Sequence, residues 1–215
     1  MPRPTATLTL ATLLAACSTA PRPLPPPAAL PRETPGAAVT VTRVQPPWYA
    51  ARFLILRGFR KSVPEYQAVP GLARKAYTLA ATDGHFGGVY LWHTRADAEA
   101  WFTPAWFSRV RKSYGVDGEV RTLDIARVLE APSAQGVEEG PMVAALTRDT
   151  LSRYADAAGL RWAAEGEGQV VSVWHTRAAA DAFFAGTPDV EWFDAPLALD
   201  NGVPQSTEGS SAASR

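Results

Sequence analysis

A single cysteine stands among 215 residues, which excludes an intrachain disulfide, and the three histidines with that cysteine show no spacing suited to a zinc site. Charge of either sign in excess is also missing. Lys plus Arg and Asp plus Glu both total 21, so no whole-chain field steers the protein toward nucleic acid, and nucleic acid is not expected as a partner. No apolar run is long enough to span a bilayer as a helix. No Ser/His/Asp ordering, glycine-rich phosphate loop or paired-carboxylate motif can be picked out. With 47% apolar and 10% aromatic residues, what remains is ordinary globular composition for one or two small domains.

Proline is abundant but uneven: eleven of 19 lie in the first 47 residues. Residues 1–16 carry one charge, Arg3, then an apolar and threonine-rich run, then small residues, which is the pattern of an export signal. It ends in Leu14-Ala15-Ala16-Cys17, similar to the bacterial lipoprotein lipobox, so Cys17 is expected to be acylated after cleavage. Ser18 follows where Asp would favour inner-membrane retention, so the expected location is the cell envelope, at the outer membrane or periplasmic face. Residues 17–37, with Pro21, Pro23 and Pro25 to Pro27, read as a stiff polyproline tether, and 202–215 as a disordered tail.

Between them runs an internal echo. Leu91-Trp92-His93-Thr94-Arg95-Ala96-Asp97 to Phe102 returns 82 residues later as Val173-Trp174-His175-Thr176-Arg177-Ala178-Ala179 to Phe184, and Gly71-Leu72 returns as Gly159-Leu160. Two copies of one module, 38–131 and a shortened 140–201, explain these landmarks. Each reads as strand, helix, strand, strand, helix, strand, the ferredoxin-like order. The first comprises Val39 to Val44, Trp48 to Arg60, a hairpin of Leu72 to Ala81 and Val89 to His93 around Asp83-Gly84, and Val120 to Leu129. The second comprises strands Met142 to Thr147, Leu160 to Ala164, Val170 to Trp174 and Val190 to Asp194, with short helices from Thr150 and Arg177. The expected fold is therefore α+β, two tandem ferredoxin-like modules. Residues 38–131 hold 13 basic and 8 acidic side chains, a net of +5, and 132–215 hold 5 and 12, a net of −7. Opposite potentials of this kind favour association of the two halves and a monomeric pseudo-dimer.

The segment Gly71-Leu72-Ala73-Arg74-Lys75-Ala76-Tyr77, with His85-Phe86-Gly87-Gly88-Val89-Tyr90-Leu91-Trp92 and Ala96 to Phe102, resembles the YdhR-like family of the dimeric α+β barrel, or antibiotic biosynthesis monooxygenase, superfamily. The likeness covers about residues 39–130 and extends more weakly to the second copy. Members of that family pair their sheets between two chains, so the resemblance implies that the two tandem ferredoxin-like modules pair within one chain as an α+β barrel. In some relatives it also implies oxidation of aromatic substrates by oxygen without metal or flavin, and other relatives bind haem. The superfamily shares no catalytic set that could be carried over.

On that basis the expected function is binding or oxidation of a small apolar or aromatic molecule by a lipid-anchored protein, needing no cofactor and no metal. The alternative is a non-catalytic envelope scaffold. A cofactor-free oxygenase requires a dry pocket and a base or hydrogen-bond donor able to ionise its substrate. His93 and Tyr77 are the catalytic candidates, with Trp92, Trp101, Trp106 and His175 as ligand-binding candidates. Each has a structural alternative: Trp-His-Thr-Arg suits a strand-to-helix corner capped by Thr94, and Trp101 and Trp106 suit a core. His85, beside Gly84, reads as a hairpin residue.

Overall fold

The computed structural model describes residues 32–80, 82–131 and 135–202. Cys17, the segment read as an export signal, most of the proline-rich segment and nearly all of the segment read as a tail lie outside them. In chain order the elements are β1 (Arg32–Val44), α1 (Arg52–Gln67), β2 (Leu72–Ala80), β3 (Phe86–Trp92), α2 (Arg95–Trp101), α3 (Pro104–Tyr114) and β4 (Glu119–Glu130). The second half supplies β5 (Gly136–Thr147), a 3-10 turn at Leu151–Tyr154, β6 (Leu160–Gly166), β7 (Gln169–Trp174), α4 (Arg177–Phe183) and β8 (Glu191–Asp200).

All eight strands among the described residues form one closed antiparallel barrel in the order β1-β3-β2-β8-β5-β7-β6-β4. This corrects the expected α+β pair of ferredoxin-like modules. The sheet is a single ring with few helices: β8 hydrogen-bonds to both β2 and β5, and β4 to both β1 and β6, so each half finishes the other's ladder. Alternation along the chain marks a strand but does not say which edge will receive it. The segment between β5 and β6 is also too short for a crossover helix, and its described structure is one 3-10 turn of four residues.

Alternate residues from every strand point inward and fill the barrel. Val39 and Val41, Ala76, Leu91, Leu123, Met142, Trp162, Val173 and Phe193 belong to this one buried cluster. Small alanines beside larger branched and aromatic residues suit the limited bore of an eight-stranded ring. β1 begins at Arg32, and its first residues, in the segment read as tether, pair with β4 as Arg32 opposite Val128 and Glu33 opposite Arg127.

The helices sit outside the ring. α3 starts after Thr103 with Pro104 in its first turn, and ends on Gly115 at φ 77° with Arg111 and Lys112 in the last turn, a cation placement that suits the negative end of the helix. α1 follows Pro46-Pro47 and packs Phe59 against Tyr77, Leu79, Leu197 and Leu199, the outward residues of β2 and β8.

Candidate functional site

Between α1, α3 and the outer faces of β2 and β3 lies a cavity of about 400 Å³. Its wall includes Phe59, Ser62, Glu65 and Tyr66 from α1, Lys75 and Tyr77 from β2, Phe86 and Tyr90 from β3, and Trp106, Arg109 and Tyr114 from α3. Strand periodicity explains the grouping. Lys75 and Tyr77 are two residues apart and so share the outward face of β2, and Lys75 lies opposite Tyr90 in the β2–β3 ladder.

Lys75 is 3% exposed. Its Nζ lies 2.9 Å from the ring centroid of Tyr66, 3.8 Å from that of Tyr77 and 4.7 Å from that of Tyr90. Among the described residues its side-chain amine makes no hydrogen bond or ion pair. Loss of water destabilises the ammonium form, and the negative charge of Glu65 offsets only part of that, so the Lys75 pKa lies well below the usual lysine value. The aromatic faces favour the remaining ammonium.

The phenols around it are fixed by one another. Tyr90 donates to the Tyr66 hydroxyl at 3.4 Å, and Ser62 donates to the Tyr77 hydroxyl at 3.3 Å. Burial raises the pKa of all three tyrosines, so they remain protonated donors at neutral pH. Gly88, opposite Tyr77 in the ladder, makes the room: a Cβ there would stand 2.9 Å from Tyr90 Cε2 and 3.1 Å from Lys75 Cε. The chemical content is an amine able to take a proton, phenols able to donate hydrogen bonds, and an aromatic lining.

Of the residues singled out from sequence, Tyr77 and Trp106 line this cavity. Trp101 stands behind it, its ring 5.4 Å from that of Tyr66. Trp92 is wholly buried in the core with Ala38, Leu72 and Ala98. His93 is absent from the wall; its backbone N–H donates to Gly71 O at 2.8 Å, and burial lowers the pKa of its half-buried imidazole. His175 occupies the same kind of corner, with its N–H on Gly159 O at 2.9 Å and Nδ1 3.7 Å from Glu138 Oε1. His85 is in the β2–β3 turn, its Nδ1 2.8 Å from Asp83.

Among the described residues the second half has no matching cage. Where Lys75 faces Tyr90, the corresponding ladder position pairs Ala163 with Ser172. Tyr154, Trp174 and Phe184 are buried together there, with Phe183 packed against them. Sequence reading missed Lys75, Tyr66 and Tyr90. The available signal was Lys-x-Tyr inside a strand, which places an amine and a phenol on one face.

No family model matches the chain, and no curated protein does. Among solved structures it is similar to a protein of Lactobacillus acidophilus NCFM described as a "putative monooxygenase", at 11% identity and TM-score 0.53, covering 78% of this chain and 97% of that one. The two share a fold. An anthrone oxidase-like protein, at 10% identity and TM-score 0.47, covers 83% of this chain and 99% of its own. A Fusobacterium nucleatum protein with the same description as the first, at 8% and 0.48, covers 78% and 96%. The likeness in these two is too slight to carry an argument.

Proposed function

We propose that the cavity binds a small phenolic or otherwise enolisable aromatic molecule and that the protein oxygenates it without a cofactor, Lys75 acting as the base. The observation that supports this is the tyrosine-caged, water-poor Lys75 amine on the wall of an aromatic cavity. A neutral amine accepts the phenolic proton, which raises electron density on the substrate ring. The anion passes one electron to dioxygen, and the resulting radical pair combines to form a carbon–peroxide bond. Proton return from Lys75 and loss of a ring hydrogen then allow the O–O bond to break, giving a carbonyl and water. One substrate and one dioxygen give one product that has gained an oxygen and lost two hydrogens, together with one water.

In this reading Tyr77, held by Ser62, donates a hydrogen bond to the substrate oxygen and Trp106 closes the aromatic wall. His93 serves the fold. The acylated Cys17 would tether the protein in the envelope. The same Gly-Leu and Trp-His-Thr-Arg corners in both halves support descent from one duplicated module, of which the first copy keeps the cavity.

Oxygen uptake with a panel of hydroquinones and polycyclic phenols tests the reaction. Lys75→Met should lower turnover by at least about a hundredfold, within the range for loss of a general base, while Tyr77→Phe should lower it less. Wild-type turnover in Lys75→Met would exclude Lys75 as the base. A second reading, a barrel used only as an envelope scaffold, is supported by the filled barrel interior and by the position of His93 outside the cavity. Absence of uptake by the wild type across the panel would favour it.

A further inference from the structure

Among the described residues six large apolar side chains are exposed, and five of them, Trp48, Tyr49, Phe53, Leu54 and Tyr114, belong to α1, α3 and the loop before α1. Trp48 is 97% exposed and Phe53 67%. Tyr49, Leu54 and Tyr114 also line the cavity, so this aromatic patch is continuous with its rim.

The same two helices are strongly basic. α1 and α3 together carry seven Lys or Arg and one Glu, in a chain whose net charge is zero. Arg52, Arg60, Arg109 and Arg111 are balanced by Asp194, Glu139, Glu65 and Asp117, whereas Arg57, Lys61 and Lys112 make no ion pair among the described residues. Phe53, Arg57 and Lys61 recur every four residues along the exposed side of α1, while Phe59 and Tyr66 face the cavity.

We infer that this face is a membrane-docking surface, which lays α1 and α3 on an anionic bilayer and opens the cavity toward the acyl chains. Trp, Tyr and Phe are the side chains that settle at the lipid interface, and unpaired Lys and Arg beside them are drawn to anionic headgroups. A second copy of the chain is a poorer occupant, because two such faces would bring like charges together. The surface acts independently of acylation at Cys17 and of the chemistry at Lys75, and it gives an apolar ligand a route to the cavity without crossing water.

The test uses the full chain carrying Cys17→Ser, so that no acyl chain contributes. It is sedimented with phosphatidylcholine vesicles, with and without phosphatidylglycerol at roughly one part in four. Binding is expected to the anionic vesicles and to weaken with salt. Arg57→Glu with Lys61→Glu should reduce partitioning by about tenfold or more, and Trp48→Ala with Phe53→Ala should reduce it on both vesicle types. Arg148→Glu, outside the two helices, should leave it unchanged, and thermal midpoints should confirm that every variant is folded. Failure to bind anionic vesicles, or equal partitioning of the folded helix variants and the parent, would overturn the inference. So would a concentration-dependent dimer that Trp48→Ala with Phe53→Ala dissolves, since the patch would then belong to a second copy.

Discussion

Lys75 is a cost to the fold as well as an asset to the site. An amine whose pKa is depressed in the folded state binds fewer protons there than in the unfolded chain over the interval between the two values. Stability therefore rises with pH across that interval, up to the ordinary lysine value of about 10.4, and the full penalty is present below the depressed value. Lys75→Met should accordingly raise the thermal midpoint at pH 7 by a few degrees, since about 1 kcal/mol moves it roughly 2–4 °C in a chain of this size. The advantage should shrink toward pH 10. Thermal scans of both proteins from pH 6 to 10 check this, and a midpoint lowered by the substitution would mean that the aromatic cage outweighs desolvation. Tyr77 was legible in the sequence as an aromatic donor. Lys75 was not, because a charge within a strand ordinarily marks the solvent face, and only the helices laid over β2 reverse that inference.

The Trp-His-Thr-Arg corners show an element built for geometry. Gly71 turns the chain at φ 74° and its carbonyl receives the His93 N–H; Thr94 accepts from Asp97 N at 3.1 Å, while the Asp97 carboxylate receives the Thr94 N–H at 3.1 Å. Thr176 caps α4 through Ala179 N at 3.2 Å. Thr94→Ala should cost about 1 kcal/mol in urea unfolding and leave oxygen uptake unchanged; lost uptake at full stability would return the corner to the active site. Alternation made most strand cores readable, but the three strands that run furthest beyond what it suggested, β1, β5 and β8, each contain a proline. Pro35, Pro141 and Pro196 all fall where the ladder slips register, between Glu33 and Ala37, between Glu139 and Met142, and opposite the shift between Tyr77 and Leu79. A residue with no N–H to offer is tolerated at such irregularities. The sequence alone shows the proline and not the slip that accommodates it.

Across the whole molecule, the opposite charges of the two halves meet within the chain. Arg43 pairs with Glu191 at 2.8 Å, Arg60 with Glu139 at 2.7 Å, Arg74 with Asp200 at 3.2 Å and Arg127 with Glu165 at 2.5 Å. Arg74 and Asp200 are buried, and the other three pairs, which are partly or largely exposed, contribute about 0–1 kcal/mol each, so the pairs select the register while the β2–β8 and β4–β6 ladders hold the halves. We expect the Cys17→Ser chain to sediment as a monomer in detergent at both low and high salt; a stable dimer at both would show that copies exchange strands. The ring also fixes an order of events. β8 is the last of the described strands to leave the ribosome, yet its place is between β2 and β5, so the ring stays open until about residue 200 has emerged. A nascent chain of this design cannot finish folding from its first half onward, and until its end is made it carries unpaired strand edges that a chaperone or a translocation channel can hold extended.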